Sequence, residues 1–367
     1  MAEQLAVNWK TLDDTLVAGI RFVGQFDLIP GSFEKLVPVI EPYITGTGFT
    51  LYHGGNARDG YDIEVCFPVS RPINEGEIRS RVLEGEDVIT AIHRGPYRSE
   101  DDPQKGIGAT WGKLWKHCVE NHIGIAENAC REIYLEDDIQ HGDDAESYVT
   151  EVMMPLLLPK WHARLESALE ELAGPSAREA VLEGVGTISP QSDPVEKVAW
   201  MKEVMERLDA AVPNEDTRRE IVCRCAHVYP ERQIRNLKAM YDEEGGLDGF
   251  MARLRDDPGY DGAPYYRDPE RGDDVIFIDK IPQEAEKHRE ATDPVVRRAA
   301  ACHCPIIKAA ILRGEAISPT FCNCATGWFR PLWETLLGRP VKITCEESVL
   351  QGHDRCKFAI HLDDGQL

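Results

Sequence analysis

Two glutamates stand in matching contexts eighty-seven residues apart. Glu64 lies in Ile63-Glu64-Val65-Cys66-Phe67-Pro68, and Glu151 in Thr150-Glu151-Val152-Met153-Met154-Pro155. A carboxylate carried inward by so apolar a segment has its pKa raised or needs a cationic partner. Either state is useful, as a base that activates water or as counter-charge to a cationic ligand. Strand alternation sets Glu151 on the face of Met153 and opposite Val152. Trp111, Trp115 and Tyr134 are candidate aromatic walls for a ligand. Tyr97 joins Glu151 as a candidate catalytic residue, because its hydroxyl can donate to a leaving group or a developing oxyanion. The plainer alternatives stay open: Glu151 solvated on an edge strand, and Trp111 with Trp115, four apart, as core of a helix. Glu64 and Met153 complete the candidate ligand-binding set.

A second set of reactive residues is late in the chain. Cys302-His303-Cys304-Pro305 and Cys322-Asn323-Cys324 are twenty residues apart, with Cys345 and Cys356 beyond them. Four thiolates in two such pairs, Cys302, Cys304, Cys322 and Cys324, could bind zinc tetrahedrally, and sulfur softness favours zinc or an iron–sulfur centre. Against this, Cys-x-Cys on a strand separates the sulfurs by about 7 Å, too far for one ion without a bend; Pro305 could mark one. Cys345 and Cys356 alternate with apolar residues as core positions do.

The elements that must position the first set repeat. Val17 to Phe22 leads into Gly24-Gln25-Phe26, and Val88 to His93 leads into Gly95-Pro96-Tyr97. Each is followed by a helical stripe: Phe33, Leu36, Val37 and Ile40 in one copy, Ile107, Trp111, Leu114, Trp115 and Cys118 in the other. The glutamate-bearing segments close the copies. The unit reads strand, helix, strand, strand, twice, with a groove expected between the helices.

This pattern resembles the GyrI-like effector-binding family. The likeness is carried by Gly95-Pro96-Tyr97, the helix Gly108 to Trp115, Arg131-Glu132-Ile133-Tyr134-Leu135 and Tyr148 to Pro155, within residues 15 to 158. The resemblance implies an aromatic-lined cleft with one buried carboxylate that selects cationic or electrophilic aromatic ligands. Some stand-alone members look like hydrolases that open reactive rings; others bind and sequester. The tail Glu347 to Phe358 resembles the closing strands of 4-vinyl-reductase-like domains, which implies a terminal antiparallel hairpin. That family often has cysteine where Ser348 stands here.

The expected fold class is therefore α+β. A duplicated β-α-β-β domain over 1–160, with a pseudo-twofold antiparallel sheet and helices on one side, precedes a helix and linker over 161–192. A helical and Cys-containing α/β region follows over 193–367. In it, Asp193 as N-cap, Pro194 at N1 and Glu196 at N3 open a helix; further helices are read near 216–226 and 230–241. The glycine- and proline-rich stretch 257–272 breaks the pattern, and the acidic stretch 135–146 reads as a solvated loop.

Composition narrows the function. A net charge of −23 argues against direct nucleic-acid binding, which needs a basic face. The N-terminus lacks a secretory pattern and no long apolar run spans a membrane, so a cytoplasmic protein with reduced cysteines is expected. The expected partner is a small aromatic or cationic molecule, bound or hydrolysed, with a homodimer as a further option. Two alternatives stand: a ligand sensor, related to transcription, that acts through a protein partner, and an acidic mimic of DNA. No cofactor is expected with certainty beyond the zinc reading.

Overall fold

The structure, a computed structural model, describes residues 5–99, 101–126, 129–137, 141–142, 144–256 and 266–362. The chain divides into two compact units, Met1–Glu120 with Ile125–Leu156, and Asn121–Gly124 with Leu157–Leu367.

The first unit runs β1 (Val7–Leu12), β2 (Thr15–Gly24), α1 (Ile29–Ile40), β3 (Phe49–Asn56), β4 (Gly60–Pro68), β5 (Arg79–Leu83), β6 (Glu86–Arg94), α2 (Ile107–Glu120), β7 (Cys130–Glu136) and β8 (Val149–Pro155). One antiparallel sheet has the order β1-β6-β8-β7-β3-β4-β2-β5. In β2-α1-β3-β4 and in β6-α2-β7-β8 the last strand lies between the other two, and β3 joins β7 at the centre. Glu64 stands opposite Arg21 and Leu51, and Glu151 opposite Ile92 and Ile133, so the two glutamates hold corresponding registers. Strand alternation then sorts the side chains. Ala18, Ile20 and Val65 form a core with Leu36 and Ile40 of α1, whose four-residue spacing makes one helical stripe. Val17, Leu51 and Cys66 form another core on the opposite face. β1 and β5 at the two edges lie outside the expected strand, helix, strand, strand pattern.

The second unit contains ten helices among the described residues and a small antiparallel sheet. Helices α3 (Leu157–Ala173), α4 (Pro175–Leu182), α5 (Pro194–Ala211), α6 (Glu215–Arg224), α7 (Glu231–Glu243) and α8 (Leu247–Asp256) come first. Asp193 and Glu196 close a capping box at the start of α5, which satisfies two otherwise orphaned amides. Then come β9 (Tyr266–Arg271), β10 (Val275–Lys280), α9 (Ala285–Glu290), α10 (Pro294–Ala301), α11 (Pro305–Arg313), α12 (Asn323–Leu337), β11 (Ile343–Glu347) and β12 (Lys357–His361). The sheet order is β11-β12-β10-β9. The expected break at 257–272 is partly strand, since β9 falls within it; residues 257–265 lie outside the described residues, as do 138–140 and 143 of the acidic stretch. One core gathers α3, α5, α10 and α11; another sets α7, α8 and α12 against the sheet. No helix among the described residues is long and apolar enough to cross a membrane.

Candidate functional site

On the helix-bearing side of the first unit's sheet is a cavity of about 1280 Å³. The central strands supply its floor: Tyr52 from β3, Glu132 and Tyr134 from β7. Phe33 of α1 and Trp111 of α2 supply walls. Phe26 and Tyr97, each two residues after the glycine of its turn, line it as well. Gly95 has φ 118°, a conformation that only glycine adopts without strain, and this turn brings Tyr97 back over the cavity.

Three acidic residues line this cavity, Glu34, Glu132 and Asp137; Glu34 is exposed and Asp137 half-buried, whereas Glu132 is only 6% exposed. One of its oxygens accepts from the Trp111 indole N–H at 2.7 Å and the other from the Tyr52 hydroxyl at 2.5 Å. The Tyr134 hydroxyl lies 3.4 Å away and also hydrogen-bonds Thr50 at 2.7 Å. Among the described residues no lysine, arginine or histidine forms an ion pair with Glu132. Burial pushes its carboxyl above the ordinary range, and the Tyr52, Trp111 and Tyr134 donors only partly offset this. Burial, with the nearby Glu132 charge, also raises the Tyr52 and Tyr134 phenols well above their usual value. The aromatic rings meet edge to face: Tyr52 with Trp111 at 6.4 Å, Tyr97 with Tyr134 at 5.7 Å, Phe33 with Tyr134 at 5.8 Å. Such edges leave ring faces free to stack on a ligand.

Of the residues singled out from sequence, Tyr97, Trp111 and Tyr134 line the cavity together. Trp115 does not; it is 46% exposed on another side of α2. Glu151, Met153 and Glu64 do not either, because strand alternation turns them to the opposite sheet face. Glu151 is held there by Lys10 of β1 at 2.6 Å and by the Thr90 hydroxyl at 2.7 Å. Glu64 is held by His53 at 2.9 Å and by Arg81 of β5. Burial would raise the Glu64 carboxyl, but His53 and Arg81 outweigh it and bring it down to about 2. Each glutamate thus pairs with a cation on the edge strand two places away, a device that keeps buried charge compensated. Sequence reasoning missed Glu132, Tyr52 and Phe26. The signal was present for two of them. Glu132 is two residues before Tyr134 and so shares its strand face, and Phe26 is the counterpart of Tyr97 in the repeated turn.

The cysteines are not on one strand. Cys302 follows α10, Cys304 immediately precedes α11, Cys322 ends the 3-10 turn Pro319–Cys322, and Cys324 lies in the first turn of α12. Among the described residues no three His, Cys, Asp or Glu side chains are placed to hold one metal ion, so the four sulfurs expected for zinc do not form a single coordination sphere. All the cysteines are free.

Residues 6–157 match the GyrI-like small molecule binding domain, and this first unit is a domain of that family. The chain is similar to the crystal structure of the EcmrR C-terminal domain, 24% identical over 42% of this chain and 98% of that one, with a TM-score of 0.36. It is also similar to a hydrolase from Listeria innocua, 13% identical over 42% of this chain and 93% of that one, TM-score 0.32. A third similar structure is SAV2435 bound to tetraphenylphosphonium, 12% identical over 43% of this chain and 98% of that one, TM-score 0.31. No curated protein matches the chain.

Proposed function

We propose that the first unit binds aromatic cations, with Glu132 rather than Glu151 as the counter-charge. The observation that carries this reading is Glu132 itself: a buried carboxylate facing an aromatic cavity, fixed by Tyr52 and Trp111, with no cationic side chain paired to it among the described residues. Burying such a group costs stability unless something offsets it, and a bound cation does so while stacking on Tyr97, Phe26 and Tyr134. The volume, at the large end for small-molecule sites, suits a ligand of several rings.

Tetraphenylphosphonium is a suitable probe because its charge is shielded by aromatic rings. Glu132→Gln should weaken its binding by about 1–3 kcal/mol in calorimetry, while binding of neutral triphenylphosphine oxide stays within a few-fold. Equal losses for both probes would refute the counter-charge role. Hydrolysis is a second reading favoured by one feature, the raised Glu132 carboxyl in a cavity that Tyr97 also lines, which suits general acid–base work on an electrophilic ring. Incubation with reactive ring compounds and mass spectrometry would test it: unconverted compound recovered in full would leave binding alone.

A further inference from the structure

We propose that the second unit holds a small monovalent anion of the chloride class, with Lys197 as its charge partner. The site is a cavity lined by α3, α5 and the start of α11. Its volume is about 40 Å³. That exceeds the roughly 10–15 Å³ that admits a single water and is far too small for an organic ligand. Much of the wall is apolar, with Leu158, Met201, Ile306 and Phe321 in it. The polar heads set into that wall belong to Lys197, Trp161, His122 and Cys304, and no aspartate or glutamate among the described residues lines it.

Lys197 is the first observation. It is 4% exposed, and its Nζ donates to the Pro190 carbonyl at 2.5 Å. An ammonium has three protons to place, and one withdrawn from water without a counter-charge is costly. Lys308, also buried in this unit, shows the usual remedy, with Glu284 at 3.2 Å. Lys197 makes no ion pair among the described residues. The two acids at the start of the same helix, Asp193 and Glu196, are engaged with each other's backbone in the capping box of α5.

Two orphaned atoms of the same cavity are independent of it. The Trp161 indole N–H, on a side chain 3% exposed, has no hydrogen-bond partner among the described residues, and neither has the buried Nδ1 of His122. An indole N–H and an ammonium can only donate. A water placed among them still needs acceptors for its own hydrogens, whereas an anion accepts from every side. His122 is also the one described non-glycine residue with left-handed backbone, φ 53°, a strained conformation that holds its imidazole in the cavity wall. Burial, then Lys308 and Lys197, push that imidazole below its ordinary value, against Glu284 and the Pro305 carbonyl. Cys304, Pro305 and Ile306 bring the positive end of the nine-residue helix α11 to the cavity as well. Apolar walls favour an anion that loses its water cheaply, so a halide fits and doubly charged sulfate does not.

The test uses the full-length protein in halide-free potassium gluconate at fixed ionic strength, into which chloride or bromide is titrated. Saturable broadening of the chloride NMR line is expected, with a rise in melting temperature over the same range. Sulfate should reproduce neither. Lys197→Met keeps the apolar stem and should weaken halide binding by about tenfold or more. In halide-free buffer it should be at least as stable as the parent, because an uncompensated buried charge is gone. Trp161→Phe keeps a ring in place without the N–H and should also bind halide more weakly, while Lys116→Met on α2 should change nothing. Absence of saturable broadening would leave the cavity to water and overturn the site. An equal rise in stability with sulfate, or undiminished halide binding by Lys197→Met, would overturn it too. Where Lys197→Met misfolds, crystals of the parent protein grown in bromide decide: an anomalous scatterer beside Lys197 supports the site, and its absence there overturns it.

Discussion

The Tyr52 hydroxyl donates across 2.5 Å to Glu132, and through that carboxylate the central strand β3 is tied to Trp111 of helix α2. The acidic group therefore has a structural task as well as a place in the cavity. Its donors are rigid aromatic side chains with few rotamers, so little entropy is lost in holding them.

The first prediction concerns pH. Burial raises the Glu132 carboxyl, and Tyr52, Trp111 and Tyr134 do not fully reverse it. The folded protein thus retains a proton that the unfolded chain has already released. The stability tied to that proton is full below the ordinary carboxylate value and is lost as pH rises through the raised one. Affinity for an aromatic cation should move the other way, climbing with pH through the same window. Melting temperature and Kd against pH, compared with Glu132→Gln, check both trends. Parallel curves for the two proteins would show that Glu132 does not titrate there.

Glu64 should behave in the opposite sense. Burial acts to raise its carboxyl, but His53 and Arg81 prevail and hold it at about 2. The stability it contributes is present above the ordinary carboxylate value and is lost as pH falls toward about 2. Glu64→Gln should flatten the acid limb of the stability curve by about 1–3 kcal/mol, the lower part of that range allowing for the partly exposed Arg81. Acid denaturation monitored by circular dichroism reads this directly. Ligand binding should be unaffected, since Glu64 does not line the cavity.

How far sequence carried the reading can be seen in these glutamates. The apolar runs ending at Pro68 and Pro155 are strands, and the helical stripes after the two glycine turns are α1 and α2. Those features are local, fixed by alternation and periodicity. What escaped was which sheet face the helices cover. Alternation placed Glu151 with Met153 but could not say on which side, and the edge strands with Lys10 and Arg81, which would have shown the glutamates already paired, went unrecognised. The Glu132–Tyr134 spacing held the answer, because an acid two residues before a wall residue must face the same way. For the cysteines, the strand assumption behind the 7 Å separation fails because helix ends, not strands, carry Cys304 and Cys324.

Two tryptophans four residues apart should separate cleanly by function. Trp111→Phe keeps the ring in the cavity wall and removes only the N–H that holds Glu132. It should weaken tetraphenylphosphonium binding by about 1 kcal/mol, the usual net value of such a bond. Trp115→Ala removes a larger group from an exposed site and should change affinity and stability by no more than about 0.5 kcal/mol. Titration calorimetry on both variants is sufficient; a larger binding loss in Trp115→Ala would mean that the ligand reaches beyond the cavity described.

The last prediction is about the packing of α12 on α6. Gly327 approaches so closely that a Cβ there would lie 1.9 Å from the Cys223 carbonyl oxygen and 2.9 Å from the Ala226 Cβ. The helices cannot slide to make room, because adjacent side chains fix their register: Thr326 bonds the Cys223 sulfur at 2.7 Å and Arg330 pairs with Glu220 at 2.6 Å. Backbone has no rotamer to escape into, so the clash must be relieved by parting the helices and opening a cavity. Gly327→Ala should therefore destabilise the second unit by about 3 kcal/mol or more, beyond ordinary overpacking. Gly112→Ala offers the contrast. It is an exposed helical position in α2 where a Cβ meets nothing within 4 Å, and the gain in helix propensity should stabilise by about 0.5–1 kcal/mol. Urea denaturation of the two variants reads both signs. A Gly327→Ala protein as stable as the parent would mean that α6 and α12 do not meet as closely as described.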